Sequence, residues 1–137
     1  MDKCMEVVSR NKEKILNNVL EYLRLADLEY QEIYVYKSRV ADLCRPNSDI
    51  DVYVLLSEKH REFVNEKGKR WDGYMWPKYV SWGEERRGLT SIDKAYGKEY
   101  PEGWWPIELD VRMGCDMPPR PEKYIGRKFI IKFEEVP

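Results

Sequence analysis

The sequence predicts an α+β domain, a short mixed β-sheet backed by helices, and three observations predict it. Residues 4–26 repeat apolar side chains at helical spacing. Three later segments, 32–37, 49–56 and 107–114, are short runs rich in β-branched, aromatic and apolar residues. Helical and strand-like segments alternate within 137 residues with no repeat, low-complexity stretch or linker, which is the size of one domain with a single core.

The first element is an amphipathic helix over about 4–26. Val8, Ile15, Val19, Leu23 and Ala26 recur at three, four and seven, with Leu16 and Leu20 beside them. Lys12, Lys14, Asn17, Asn18, Glu21 and Arg24 supply the wet side, so the helix covers a core. EIYVYK over 32–37 is a strand, and a short helical turn follows Ser38. DIDVYVLL over 49–56 is a second strand, and its apolar continuity gives it a central position. Ser57 is the N-cap of a helix running to about Asn65 and ended by Gly68. IELDVRMG over 107–114 is a third strand, punctuated by Gly103 and Pro106 before it and Pro118, Pro119 and Pro121 after it. GRKFIIKFEE over 126–135 is a final strand or extended arm.

Composition excludes several classes. Hydrophobic residues make up 42% of the chain, too many for a disordered segment. A net charge of −1 provides no global basic field, so any contact with a polyanion is local. No run approaches the roughly 20 apolar residues of a membrane span, and the opening MDKCMEVVSRNKEK lacks the apolar centre of a secretory signal. Cys4, Cys44 and Cys115 are few, odd in number and not at metal-ligand spacing. They read as reduced thiols of a cytoplasmic protein. His60, in the charged run SEKHRE, reads as a surface residue.

The chemistry concentrates before and within the second strand. Strand side chains alternate, so Asp49 and Asp51 share one face while Ile50, Val52, Val54 and Leu56 share the other. Two like charges side by side destabilise a fold unless a cation neutralises them. Hard oxygen ligands on a rigid strand suit Mg²⁺ or Mn²⁺. Upstream, Ser38 lies in the turn after the first strand, where its hydroxyl and backbone N–H can meet a phosphate.

The run Lys37-Ser38-Arg39-Val40-Ala41-Asp42-Leu43-Cys44-Arg45-Pro46-Asn47-Ser48-Asp49-Ile50-Asp51 resembles the signature of the DNA polymerase beta-like nucleotidyltransferase superfamily, in its small, minimal form. That signature is roughly G-S-x-A-x-G-x-x-R-x-x-S-D-[IL]-D, and the run aligns without a gap. Ser38, Arg39, Arg45, Pro46, Ser48, Asp49, Ile50 and Asp51 match. The resemblance is close over about residues 31–56 and looser near Asp110. Both of its glycine positions are replaced: Lys37 and Asp42 stand where the family has glycine. Glycine there allows positive φ and close approach of a phosphate. Lys37 either obstructs the triphosphate or adds a charge that holds it, and Asp42 repels phosphate.

The resemblance implies a nucleotidyltransferase fold and a third carboxylate on a neighbouring strand. In IELDVRMG, Glu108, Asp110 and Arg112 share the face opposite Ile107, Leu109, Val111 and Met113. Asp110 is the preferred third acid and Glu108 the competitor, because both point to the same side; the plainer reading is a solvated face with a Glu108–Arg112 pair. By resemblance, Asp49 and Asp51 bridge two Mg²⁺ ions. Asp110 binds the ion that activates the acceptor hydroxyl and can take its proton. Ser38 holds the β- or γ-phosphate of a nucleoside triphosphate such as ATP. Lys37, Arg39 and Arg45 are candidate phosphate partners, since guanidinium matches phosphate oxygens bidentately; the alternative for the two arginines is a structural ion pair with a nearby acid.

Residues 71–105 hold all five tryptophans, with Tyr74, Tyr79, Tyr96 and Tyr100 and the cations Lys78, Arg86, Arg87, Lys94 and Lys98 among them. Such interleaving fits a core or interface, and also stacking on a base. The part from Glu84 to Pro106 reads as a long loop able to cover the site. The expected activity is Mg²⁺-dependent transfer of a nucleoside monophosphate to an unidentified acceptor: a protein, an RNA end or a small molecule. The alternative is a catalytically degenerate module of the same fold, acting through a protein or nucleic-acid partner; Lys37 and Asp42 motivate it.

Overall fold

The computed structural model describes residues 3–45, 48–66, 71–76, 79–82 and 109–137, with backbone alone for 71–76 and 79–82. The expected long helix is two helices, α1 (Lys3–Arg10) and α2 (Lys12–Leu25). Asn11 separates them. Its side-chain amide donates to the Val7 carbonyl at 2.8 Å, while its backbone N–H reaches both Val7 and Val8 at 3.2 Å. Asparagine competes in this way with the helical ladder, which re-forms when the Ile15 N–H donates to the Asn11 carbonyl at 2.9 Å.

The strands are β1 (Tyr30–Tyr36), β2 (Ile50–Leu56), β3 (Trp71–Trp76), β4 (Tyr79–Trp82), β5 (Leu109–Gly114) and β6 (Ile130–Lys132). They form one mixed sheet in the order β4-β3-β5-β2-β1-β6. β2 is central, as its apolar continuity requires, with antiparallel β1 on one side and parallel β5 on the other. The β3–β4 hairpin extends the sheet beyond β5, where the sequence reading expected no strands. Its two-residue connection, Pro77-Lys78, carries none of the glycine or asparagine that marks tight hairpins.

Side-chain alternation builds the core. Ile33, Val35, Ile50, Val52, Val54, Leu56, Leu109, Val111 and Met113 are all buried on one face of the sheet. Met5 and Val8 of α1, Ile15, Val19 and Leu23 of α2, and Val64 pack against them. Full burial of each aliphatic side chain contributes about 1.5–3 kcal/mol, so this face dominates the stability.

Several local expectations are corrected. Beyond Ser57 the chain makes a 3-10 turn, Glu58–His60, before α3 (Arg61–Glu66). Ser57 receives the His60 N–H on its carbonyl, and its hydroxyl makes no cap bond. His60 is half-buried, its Nε2 accepting the Glu29 N–H at 2.8 Å. The final strand has only three residues, because the chain turns into a 3-10 segment, Phe133–Glu135, that buries Phe133. Cys4 and Cys44 are not thiols: they form a disulfide joining α1 to the loop before β2. Cys115 is free and buried. No helix among the described residues is long and apolar enough to cross a membrane. Glu108, Gly68, the loop over 84–106 and the tryptophan and tyrosine side chains of 71–105 lie outside the described residues and side chains.

Candidate metal centre

Sheet register assembles the acids. β2 and β5 run parallel with Ile50 opposite Leu109 and Asp51 opposite Asp110. Paired residues on parallel strands project to the same side, so the packing that buries Ile50 and Leu109 turns both carboxylates to the other face. Asp49 lies just before β2, two residues from Asp51, on that same side. One carboxylate oxygen from each of Asp49, Asp51 and Asp110 lies within 4.8 Å of the other two. Asp51 and Asp110 are buried, and Asp49 is half-buried.

This clustering has an electrostatic signature. Burial first, and then the charge of Asp110, raise the Asp51 carboxyl from its ordinary 3.8 to about 8, with Asp49 adding to the rise. Lys37 opposes it through its positive charge. Arg112 also approaches the cluster, its guanidinium 3.7 Å from the Asp110 carboxylate. The donor set fits a hard divalent cation. Mg²⁺ holds oxygens at about 2.0–2.1 Å, which puts ligands on opposite sides of it about 4.2 Å apart, and Ca²⁺ spans slightly more. Three oxygens that lie within 4.8 Å of one another are close enough to converge on one ion, with the half-buried Asp49 able to adjust.

The turn after β1 is built around the two departures from the glycine pattern. Lys37 has φ +70° and Asp42 has φ +60°, both in the left-handed region that favours glycine. Between them the Ala41 N–H donates to the Lys37 carbonyl at 2.9 Å, and the Leu43 N–H to the Ser38 carbonyl at 2.9 Å, giving the expected helical turn. Ser38 is half-buried in it. The Lys37 N–H is taken by the Phe129 carbonyl at 2.7 Å, and its ammonium lies 5.0 Å from the Tyr36 ring centre.

The two arginines separate. Arg39 is buried, its guanidinium donating to the Cys4 carbonyl at 3.1 Å and to the Ser48 carbonyl at 2.7 Å. Arg39 thus ties α1, the disulfide and the approach to Asp49 together, a structural role beside the one the sequence reading gave it. Arg45 is exposed, so its side chain remains a candidate for phosphate. Ser48 carries a role the sequence reading did not assign. Its hydroxyl accepts the Arg45 N–H at 2.7 Å, and its own N–H donates to the Arg45 carbonyl at 3.0 Å, closing the loop before Asp49. Tyr53, two residues beyond Asp51, was also missed. It is buried edge-on against Tyr36 at 5.8 Å, and its hydroxyl donates to the Asp116 carbonyl. Period two from Asp51 was the available signal.

Comparison of the chain with protein-family models, curated proteins and solved structures gives no match.

Proposed function

We propose that the chain is a divalent-metal-dependent nucleotidyltransferase of the polymerase beta-like superfamily, with that superfamily's fold. One observation carries the reading: Asp51 and Asp110 face each other in register on parallel strands, with Asp49 in the same cluster. The left-handed φ at both positions where the signature has glycine supports it independently. Mg²⁺ or Mn²⁺, when bound, supplies the positive charge that offsets the triphosphate and the leaving pyrophosphate.

The chain's own groups orient the reaction. Asp49, Asp51 and Asp110 would hold the metal at the start of β2, and the reacting phosphate would be placed there through that charge. Ser38 meets the β- or γ-phosphate from the turn after β1, with Lys37 and Arg45 adding charge. The acceptor hydroxyl oxygen bonds to the α-phosphorus as the bond from that phosphorus to its bridging oxygen breaks. Pyrophosphate leaves with the electron pair, and the hydroxyl proton passes to Asp110.

A second reading is a catalytically degenerate module of the same fold acting through a partner. The commitment of Arg39 to backbone carbonyls, with lysine and aspartate at the two turn positions, favours it. A screen of the four α-labelled triphosphates with Mg²⁺ or Mn²⁺ separates the two. Label on protein, RNA or a small molecule, lost in Asp49→Asn with Asp51→Asn, supports transfer. Triphosphate binding with no label transferred from any of the four supports the module.

A further inference from the structure

The C-terminal segment concentrates positive charge on a chain whose net charge is −1. Between Pro118 and Phe129 stand Arg120, Lys123, Arg127 and Lys128 against a single acid, Glu122. All four cations are exposed. Arg120, Lys123 and Arg127 are also held in place. Arg120 lies over the Phe129 ring at 5.0 Å and donates to the Arg127 carbonyl at 2.9 Å. Lys123 lies over the Tyr124 ring at 5.1 Å, and Tyr124 and Phe129 stack at 5.6 Å beneath them. The Arg127 N–H closes on the Tyr124 carbonyl at 2.9 Å, with Ile125 at φ −57°, ψ 130° and Gly126 at φ +79°. That is a type II turn, which requires the glycine. Its tip presents Ile125, 70% exposed, between the cations.

Register puts this turn at the acidic end of the sheet. Tyr36 pairs with Ile130, and Val35 pairs with Val52, so Tyr36 comes beside Asp51. Strands lie about 4.8 Å apart, so Ile130 is about 10 Å across the sheet from Asp51. β6 is antiparallel to β1, and residues 127–129 therefore run past Tyr36 alongside Lys37, where Phe129 accepts the Lys37 N–H. Arg127 donates to the Ala41 carbonyl at 3.4 Å, which joins the cationic turn to the turn of Ser38. A row of cations thus leads along one edge toward the carboxylates.

We infer that this row is the docking surface for a single-stranded polynucleotide, its phosphates on Lys123, Arg127 and Lys128 and a base against Ile125. Cations spaced along a loop match the repeating charge of a backbone better than the compact charge of one triphosphate, and an apolar tip between them suits an unpaired base. The inference takes from the nucleotidyl-transfer reading only that the strand's hydroxyl end is the acceptor; the docking itself does not depend on it.

The test is fluorescence anisotropy with a labelled 12-nucleotide oligouridine, without metal, over a salt series. The wild type binds, and log affinity falls against log salt with a slope of about −2 to −3, since each neutralised phosphate of a single strand contributes about −0.7. Lys123→Glu with Lys128→Glu lowers affinity about tenfold or more and reduces the slope by about 1 to 2. Lys123→Arg with Lys128→Arg retains binding, and Lys14→Glu with Arg24→Glu on α2 leaves it unchanged. Circular dichroism verifies that each variant is folded. Asp49→Asn with Asp51→Asn binds as the wild type does, so failure of nucleotidyl transfer and failure of docking are told apart. Absence of binding at 50 mM salt, equal loss from the α2 variant, or preference for a duplex of the same length overturns the inference.

Discussion

Lys37 stands in the left-handed region at φ +70°, and its charge counters the burial that keeps the Asp51 carboxyl protonated. A non-glycine residue in the left-handed region costs about 1–2 kcal/mol, and the short side chain of Asp42 tolerates it better than Lys37 does. Lys37→Gly therefore raises stability by about 0.5–1 kcal/mol at pH 5, after the entropy glycine adds to the unfolded chain is subtracted. Lys37→Ala, which keeps the strain, brings no such gain. Urea unfolding of the two variants checks this, and equal midpoints contradict it. For Asp51 the sign follows from linkage. Its folded pKa of about 8 lies above the ordinary 3.8, so the folded state holds a proton that the unfolded state has released. The contribution of Asp51 is most favourable below about pH 4 and is lost as pH rises toward 8. Without metal, stability falls across that window, and Asp51→Asn flattens the fall. Because a bound cation replaces that proton, Mn²⁺ affinity rises with pH over the same range. Calorimetry in buffers of different ionisation enthalpy reads the released proton. A metal affinity independent of pH between 6 and 8 contradicts the assignment.

At the scale of elements, the site is held by contacts that tie neighbouring segments. The Cys4–Cys44 bond closes a loop of 40 residues between α1 and the run into β2. On the chain-entropy account, such a closure stabilises by about 4 kcal/mol. Cys4→Ser with Cys44→Ser therefore lowers the unfolding free energy by a few kcal/mol. Hydrogen exchange then quickens first in α1 and in residues 37–49, where Arg39 links the Cys4 and Ser48 carbonyls. Exchange unchanged in both segments tells against this clamp. At the far end of β5, Gly114 leaves room for Tyr53: a Cβ there would meet the Tyr53 hydroxyl closer than atoms approach. Gly114→Ala destabilises by about 1–3 kcal/mol, and adding Tyr53→Phe recovers part of the loss. A double variant no more stable than Gly114→Ala alone defeats this account.

The same elements show what the sequence made legible. Alternation in DIDVYVLL and IELDVRMG identified β2, β5 and the acids that share a face, because period two survives any tertiary context. The break at Asn11 was hidden, since helical periodicity continues across it. β3 and β4 were hidden because Gly73 and Pro77-Lys78 interrupt the strand pattern. The roles of Arg39 and the two cysteines depend on pairing across 35 and 40 residues, and no local spacing encodes such pairing.

For the whole molecule, the sheet separates two duties. One face gathers the aliphatic side chains under α1, α2 and α3 and provides the stability; the other, at the C-terminal end of β1, sets three carboxylates on rigid neighbouring elements. The cost of collecting those charges is spread over a fold whose net stability is typically about 5–15 kcal/mol. A cation that neutralises them acts on the native state alone, because the unfolded chain separates Asp51 from Asp110. Ligand at a hundredfold excess over its dissociation constant adds about 2.7 kcal/mol of stability. For a chain of this size one kcal/mol moves the melting temperature by about 3–4 °C. Mn²⁺ with a nucleoside triphosphate is therefore expected to raise the wild-type melting temperature by roughly 8–10 °C. Asp49→Asn with Asp51→Asn has the opposite pair of effects: relief of repulsion raises its metal-free melting temperature, and Mn²⁺ with triphosphate then produces no further rise. Differential scanning calorimetry reads both. A variant that melts at the wild-type temperature without metal and shifts as far with it sinks the three-carboxylate centre, and with it the nucleotidyltransferase reading built on it.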